Sequence, residues 1–430
     1  EAGATARGPA PHRASRPPRR ASIVVRVQRQ RAATSSRAPR GPRTRGYAPP
    51  LVTKSEHTTL EVAGREVRLS NPAKVYFPKP GWTKLDVARY YIDTADAVLV
   101  HVRERPTVMK RFVNGIMEEP IWQKRVPQKV PDWLQTATVA FPSGRTAEEL
   151  VADDAAHLVW AVNLGVIDFN PWPARRSDLD HPDELRVDLD PTPGVGWDAV
   201  RRTAMVVRDV LDEHGVRGYP KTSGSKGIHV MVRIEPRWGF LEVRRAALAL
   251  AREVERRAPE LATSKWWKEQ RRGVFVDYNQ NARDRTVASC WSVRPTPDAR
   301  VSCALRWDEV PDAEPGDLRL DTVPARLRQL GDPAADIDEH PGSLDQLLDL
   351  ARRDEEGGLG DAPWPPHFPK QKGEPKRVQP SRDRDRPAHR GRAGDPQPGG
   401  PPPSVQTGGL QRGFGSKPRT GQGHEEEFDE

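Results

Sequence analysis

Hydrophobic and polar positions change their period several times between residues 60 and 353. Alternating segments at 60–62 and 67–69 flank an Ala-Gly-Arg-Glu turn and predict a β-hairpin. Apolar residues at helical spacing also predict four helices. The first extends from the N-cap Thr83 to about residue 100, and the second covers 197–214 and stops at Gly215. The third covers 240–257, and the fourth covers 344–353 with Ser343 as its N-cap.

Several short segments predict the strands of at least one sheet. They cover 185–189, 219–222, 228–234 and 274–278, while 158–169 predicts a buried helix followed by a strand and 130–140 a loop and a strand. Strands that alternate with helices suggest α/β layering, whereas the hairpin-like pairs favour an antiparallel sheet and hence an α+β fold. The spacing alone leaves both open.

Composition divides the chain into three parts. Pro and Gly together number 78 of 430 residues, and they concentrate with charge at the ends. Such segments bury too little apolar surface to offset the entropy of ordering. We therefore expect a basic disordered arm over 1–54, a folded domain over 55–355 and a disordered Pro/Gly-rich tail over 356–430.

The basic character of the chain belongs to that arm. Residues 1–50 contain twelve arginines and a single acid, Glu1, whereas the whole chain carries +9. The remainder is therefore close to neutral. An arginine-rich arm of this kind is typical of a solvated tail, of a segment that binds phosphate backbones, or of a transit peptide.

Cysteine usage and hydropathy exclude several classes of protein. Cys290 and Cys303 are the two cysteines, with no Cys-x-x-Cys pair, which argues against structural zinc and a disulfide framework. The chain contains no run of about 18 apolar residues, so no membrane span is predicted. We expect two small buried cysteines in a cytoplasmic protein.

The candidate chemistry begins at Asp188-Leu189-Asp190. Side chains two apart on a strand share a face, about 6 to 7 Å apart, and such a pair of carboxylates suits two divalent ions. A solvated strand end before the Pro191 turn has the same pattern. Asp277, inside the apolar run 274–278, supplies a third acid, which must be paired or metal-bound if it is buried.

Two further sets of residues suit phosphate. In the run Ser223 to His229, small residues let backbone N–H groups converge on an anion beside Lys226 and His229, although a plain turn has the same composition. A second set consists of the cations Lys74 and Lys84 and the amide of Asn71. These side chains could bind a terminal phosphate, although a solvated face has the same composition. Lys110 and Trp122 suit a phosphate and a stacked base, although Trp122 is equally typical of a core.

Taken together, these segments resemble the polymerase domain of the bacterial end-joining ligase D family, within the archaeo-eukaryotic primase superfamily. The matching segments are 69–78, 105–106, 188–191, 222–229, 276–281 and 292–295. The resemblance implies an α+β fold, in which a primase-like catalytic palm with an RNA-recognition-type antiparallel sheet packs against a second αβ module.

The resemblance also implies roles for individual residues. It makes Asp188, Asp190 and Asp277 catalytic, metal-binding carboxylates for two Mn²⁺ or Mg²⁺ ions. The residues that it places at the incoming NTP or dNTP are Lys110, Trp122, Ser223, Lys226, Gly227, His229, Gln280 and Arg294. Those that it places at the 5′-phosphate of a downstream DNA strand are Asn71, Lys74 and Lys84.

The family further implies a gap-filling nucleotidyl transferase of non-homologous end joining that prefers ribonucleotides, acts at the bacterial nucleoid and works with Ku. Since no Lys-x-Asp-Gly ligase motif is present, we expect a stand-alone polymerase with a separate ATP-dependent DNA ligase. One departure is Asn170, where many relatives carry His. The alternatives are a non-catalytic scaffold that bridges DNA ends and a primase that needs no primer.

Overall fold

The computed structural model of the protein describes residues 56–141, 144–365, 368–371 and 374–375. The strands are β1 His57–Val62, β2 Arg65–Ser70, β3 Val75–Phe77, β4 Trp82–Thr83, β5 Pro106–Arg111, β6 Ile121–Gln123, β7 Gln135–Ala140, β8 Thr146–Val151, β9 Val166–Pro171, β10 Glu184–Pro191, β11 Gly218–Thr222, β12 Ile228–Arg233, β13 Ala262–Thr263 and β14 Val274–Asp277. The α-helices are α1 Lys84–Asp93, α2 Ala95–Val102, α3 Ala155–Asn163, α4 Trp197–Glu213, α5 Phe240–Arg257, α6 Val323–Leu330 and α7 Asp345–Glu356.

A five-stranded sheet in the order β11-β12-β10-β14-β13 carries the conspicuous acids. All neighbours are antiparallel except β13 and β14, which are parallel. Strand β10 alternates, so Leu185, Val187 and Leu189 join the core on one face. Helices α4 and α5 contact β10 and each other, and thereby cover the sheet.

The opposite face of β10 is polar and turns toward a second sheet. This sheet has the order β6-β5-β8-β7, with β9 also paired to β5. Arg186, fully buried on β10, donates to the carbonyl of Pro171 at the end of β9, 2.9 Å away. The conspicuous acids therefore lie on the face of β10 that meets the second sheet.

Local signals account for the helices. Thr83 caps α1 as predicted, in a capping box in which its amide donates to Asp86 Oδ2 at 2.8 Å. Helices α4 and α5 begin and end within one residue of the predicted positions, and Gly215 follows α4 with φ +67°. The predicted helix from Thr83 to about 100 is wrong in one respect, because it is interrupted at Thr94, whose hydroxyl donates to the carbonyl of Tyr90.

Other predictions need smaller corrections. Ser343 does not sit at the N-cap of α7, which begins at Asp345, but its hydroxyl accepts the amide of Asp345 at 3.1 Å. The predicted hairpin is confirmed as β1 and β2, with Ala63 and Gly64 at positive φ in the turn. Cys290 and Cys303 are free and buried, as predicted.

The packed chain continues past residue 355, where we placed the domain boundary. Asp361 to Trp364 lie against α5, where the buried Arg244 binds Asp361 Oδ1 at 2.7 Å and the carbonyls of Ala362 and Pro363. The Trp364 ring stacks 4.0 Å from the same guanidinium. The predicted arm over 1–54 and the predicted tail beyond 375 lie outside the described residues. Within the described part of the chain, no helix has the length and hydrophobicity needed to cross a bilayer.

Candidate metal and nucleotide site

Three carboxylates meet at the carboxyl end of β10. Asp188 is directly opposite Asp277 on β14 in the antiparallel register, and Asp190 follows two residues later on the same face of β10. Oxygens of Asp188, Asp190 and Asp277 all lie within 4.8 Å of one another. The strand spacing predicted from the sequence places the first two acids on one face, and the register between β10 and β14 adds the third.

Burial and mutual repulsion disfavour the charged forms of these acids. Burial raises the pKa of Asp188 to about 6, although Lys221 and Arg294 oppose the shift. Burial, followed by the charge of Asp188, raises the pKa of Asp277 to about 6. The pKa of Asp190 is raised as well, and the charge of Asp188 is the largest cause. Asp190 lies at the solvent-exposed side of the cluster, where water screens the repulsion.

The donor set fits divalent cations. Hard ions such as Mg²⁺ and Mn²⁺ prefer carboxylate oxygens. Asp188 Oδ1 is buried and accepts no hydrogen bond. The nitrogen His229 Nε2 lies 3.2 Å away, but its position does not meet the geometry of a hydrogen bond. Asp277 is held in place, since its Oδ1 accepts the amide of Asn279 at 2.8 Å and its Oδ2 accepts Gln280 Nε2 at 3.3 Å. Charge repulsion and a held geometry make this a site that a cation would stabilise.

The turn between β11 and β12 is built around Ser223. Its hydroxyl accepts the amides of Ser225 at 3.1 Å and of Gly227 at 3.0 Å, so the turn holds its shape through its own hydrogen bonds. Gly227 lies so close to β10 that a Cβ would meet the Leu189 carbonyl oxygen at 2.4 Å. Lys226 is exposed at the tip of the turn. The predicted cradle therefore lies beside the acids, with Lys226 facing solvent.

His229 links the turn to the acids. It is opposite Asp188 in the register between β12 and β10. Its Nδ1 lies 2.8 Å from Nζ of Lys221, a buried lysine on β11 that the sequence analysis did not single out. A lysine inside the predicted strand 219–222 was the available signal. Burial and then the charge of Lys221 lower the pKa of His229 well below its usual value.

Arg294 lies between the Ser223 turn and the second sheet, and a Cβ on Gly224 would meet its Cγ at 2.4 Å. Its Nη1 donates to Asp168 Oδ2 of β9 at 2.9 Å, and both residues are buried. Asn170, at the position where the family commonly has His, is 4% exposed and its Nδ2 lies 3.4 Å from Asp168 Oδ1. The amide is thus directed at Asp168, two residues earlier on the same face of β9.

Lys110 and Trp122 are neighbours on β5 and β6. They are directly paired across the two strands, and Lys110 Nζ lies 4.7 Å from the centre of the Trp122 ring. Lys110 is buried, whereas Trp122 is 50% exposed. Half of the indole is therefore available for stacking, and Trp122 is not a core residue.

The three predicted phosphate ligands at the start of the domain also come together, but with unequal exposure. Lys74 Nζ contacts the Val113 carbonyl and Asn114 Oδ1, and Asn71 is exposed with φ +49°. Lys84 is buried, and its Nζ contacts four oxygens, two of Ser70 and two of Asn163. Burial, with the charges of Lys74 and Arg111, lowers the pKa of Lys84 to about 8.

Comparisons with known proteins match most of the domain to one family. Residues 83–334 match the family described as LigD, primase-polymerase domain. The chain is 32% identical over 284 residues to the multifunctional non-homologous end joining protein LigD of Mycolicibacterium smegmatis. The aligned region covers 65% of this chain and 37% of that protein. The protein of the same description from Pseudomonas aeruginosa is 32% identical over 312 residues, which covers 71% of this chain and 36% of that protein.

A solved structure matches the whole fold of the domain. The polymerase domain from Mycobacterium tuberculosis ligase D, in complex with DNA, superimposes with a TM-score of 0.60 at 30% identity, and the match covers 64% of this chain and 99% of that one. The predicted α+β fold and the predicted resemblance are thereby confirmed. The chain spans little more than a third of the length of the multifunctional relatives that it matches.

Proposed function

Because this chain belongs to the LigD primase-polymerase domain family, we propose that it is a template-directed nucleotidyl transferase that extends primer strands during repair of DNA double-strand breaks by non-homologous end joining. The observation that carries the proposal is the cluster of Asp188, Asp190 and Asp277 within 4.8 Å, beside the Ser223 turn. The relatives are named as end-joining proteins, and the structural neighbour was solved with DNA.

We assign the chemistry of the site as follows. When bound, divalent ions held by the three aspartates supply positive charge to the triphosphate and lower the pKa of the primer 3′-hydroxyl. Asn279 and Gln280 hold Asp277 in place by their hydrogen bonds. Lys226, His229 and Arg294 offer donors to the phosphates, and the half-exposed Trp122 offers a ring to the base.

The decisive experiment is metal-dependent addition of a nucleotide to a primed, gapped duplex. Asp190→Ala and Asp277→Ala should each lower the rate by at least about 100-fold, the scale of losing several kcal/mol of transition-state stabilisation. Asp209→Asn, on the exposed face of α4, is the matched control and should leave the rate unchanged. Full activity in both alanine variants would refute the assignment.

The same assay separates the alternatives. Strong, salt-sensitive DNA binding without synthesis would indicate an end-bridging scaffold, and synthesis on a template without a primer would indicate a primase. We propose that ribonucleotides and Mn²⁺ are preferred, which a comparison of ribo- and deoxyribonucleotides under Mn²⁺ and Mg²⁺ tests. Ku and a separate ATP-dependent ligase are the proposed partners, tested by adding each purified protein to an end-joining reaction.

We further propose that Asn71, Lys74 and Lys84 form the site for the 5′-phosphate of the downstream strand. Lys74 is the residue to test, because its ammonium is accessible, whereas Lys84→Glu would set a carboxylate against four oxygens of Ser70 and Asn163. Lys74→Glu should abolish the preference for a 5′-phosphorylated gap over an unphosphorylated one. Lys79→Glu, exposed on the neighbouring turn, should preserve it.

A further inference from the structure

Lys221 is a buried cation that the assigned chemistry does not use. It is 0% exposed, and its Nζ contacts His229 Nδ1 at 2.8 Å and Ser302 Oγ at 2.6 Å. Neither partner is a carboxylate. Burying an ammonium beside neutral partners is costly, and a neutral side chain would fill this strand position without that cost. The lysine therefore needs an explanation other than packing.

The register places Lys221 in one row with the acids. Lys221 is opposite His229 across β11 and β12, His229 is opposite Asp188 across β12 and β10, and Asp188 is opposite Asp277 across β10 and β14. Residues directly opposite each other in antiparallel strands have side chains on the same face. The row therefore runs from a buried cation, through an imidazole, to the proposed metal ligands.

The hydrogen bonds in this row have a defined direction. Ser302 Oγ donates its proton to the Thr222 carbonyl at 2.8 Å, so it accepts from Lys221. An ammonium has donors and no acceptor, so His229 Nδ1 must accept as well. A neutral imidazole whose Nδ1 accepts carries its proton on Nε2, and this atom lies 3.2 Å from Asp188 Oδ1.

We propose that Lys221 is a positioning residue that fixes His229 in the tautomer with the proton on Nε2, so that His229 presents a hydrogen-bond donor, and not a proton acceptor, to the site. The role of that donor at the triphosphate rests on the proposed function. The tautomer itself does not. On this assignment His229 cannot serve as the general base for the primer hydroxyl, because the nitrogen that faces the site already carries a proton.

The test is a long-range ¹H–¹⁵N NMR spectrum of the full chain with ¹⁵N-labelled histidine rings, recorded without metal or nucleotide. A His229→Gln spectrum identifies the resonances. In the wild-type protein, Nε2 should have the chemical shift of a protonated nitrogen and Nδ1 that of an unprotonated acceptor. Lys221→Met should move both shifts toward the average of two exchanging tautomers, while Ser302→Ala, which keeps the contact to His229, should not.

A wild-type spectrum with the proton on Nδ1 would overturn the proposal without any variant, as would a Lys221→Met spectrum like that of the wild type. A kinetic measurement then connects the tautomer with the reaction. Loss of a hydrogen bond to a charged group is expected to lower kcat/KM for the nucleotide by about 10- to 100-fold in Lys221→Met. KM for the gapped DNA should be unchanged. Absence of polymerase activity in the wild type would refute the proposed function and leave the NMR result standing.

Discussion

Replacing Asp188 by asparagine should make the metal-free protein more stable at pH 8 while abolishing nucleotide addition. The physical reason is that the fold holds this carboxylate in a place that disfavours its charge. Asp188 is 6% exposed, and its two acidic neighbours lie within 4.8 Å. Asparagine keeps the shape of the side chain but removes its charge.

The size of the effect follows from the pKa of Asp188, which burial raises to about 6. An unfolded aspartate has a pKa of about 3.9, so the folded carboxyl group holds its proton over a range of about two pH units in which the unfolded group has lost it. Stability from this group is therefore lost as the pH rises from about 4 to about 6. The loss reaches about 3 kcal/mol at pH 8 and is about half of that at pH 5.

The assay is urea unfolding, followed by tryptophan fluorescence, of the wild type and Asp188→Asn with EDTA present. The variant should be more stable by about 3 kcal/mol at pH 8 and by roughly half as much at pH 5. Asp209→Asn should change the stability by less than about 0.5 kcal/mol at either pH. Mn²⁺ at a hundred times its dissociation constant should then stabilise the wild type by about 3 kcal/mol and the variant much less.

Two results would refute this reasoning. One is a variant that is no more stable than the wild type at pH 8, which would mean that the folded protein accommodates the charge without cost. The other is a stabilisation of equal size at pH 5 and pH 8, which would place its origin in packing and not in ionisation.

Two further predictions concern the packing of the domain. Trp364→Ala should lower the free energy of unfolding by about 3 kcal/mol, because the buried ring holds the C-terminal segment on the domain. The control Leu359→Ala, at a side chain that is 45% exposed, should lower it by less than about 1 kcal/mol. Equal effects of the two substitutions in urea unfolding would contradict this. Arg105→Met should cost about 2 to 3 kcal/mol, because it removes one of the arginines that pair with the buried Asp183, at 2.7 Å, while Arg175 remains at 2.7 Å from the same carboxylate. Arg103→Met, at an exposed position, should be neutral, and a thermal unfolding series that ranks the two variants the other way would exclude a buried ion pair here.

Much of the fold was predictable because its signals are local. Helices α4 and α5 were predicted with nearly correct bounds, since one apolar stripe and one stop signal decide each of them. In the sheet of β5 to β9, the strands β7 and β9 overlap segments that were predicted to contain a strand, whereas β5, β6 and β8 were not predicted. Strand β6 is short and largely exposed, so its sequence lacks the alternation that marks a half-buried strand, and pairing to β5 stabilises it.

The candidate site divides in the same way. The spacing of Asp188 and Asp190 places both on one face of any strand, and this much was determined by the sequence itself. That Asp277 lies opposite Asp188 was decided by the register between β10 and β14. Register depends on pairing between segments almost ninety residues apart, which no local pattern encodes.

Burial was also decided by the tertiary structure. The sequence shows Lys84 and Lys221 as two ordinary lysines, yet the fold encloses Lys84 among oxygens of Ser70 and Asn163 and Lys221 behind His229. The sequence by itself determined which strand carries the acids, the small-residue turn and the amphipathic helices, because these depend on residues near one another in the chain. The burial of particular lysines near the site depends on contacts between distant strands, and only the tertiary structure determines those contacts.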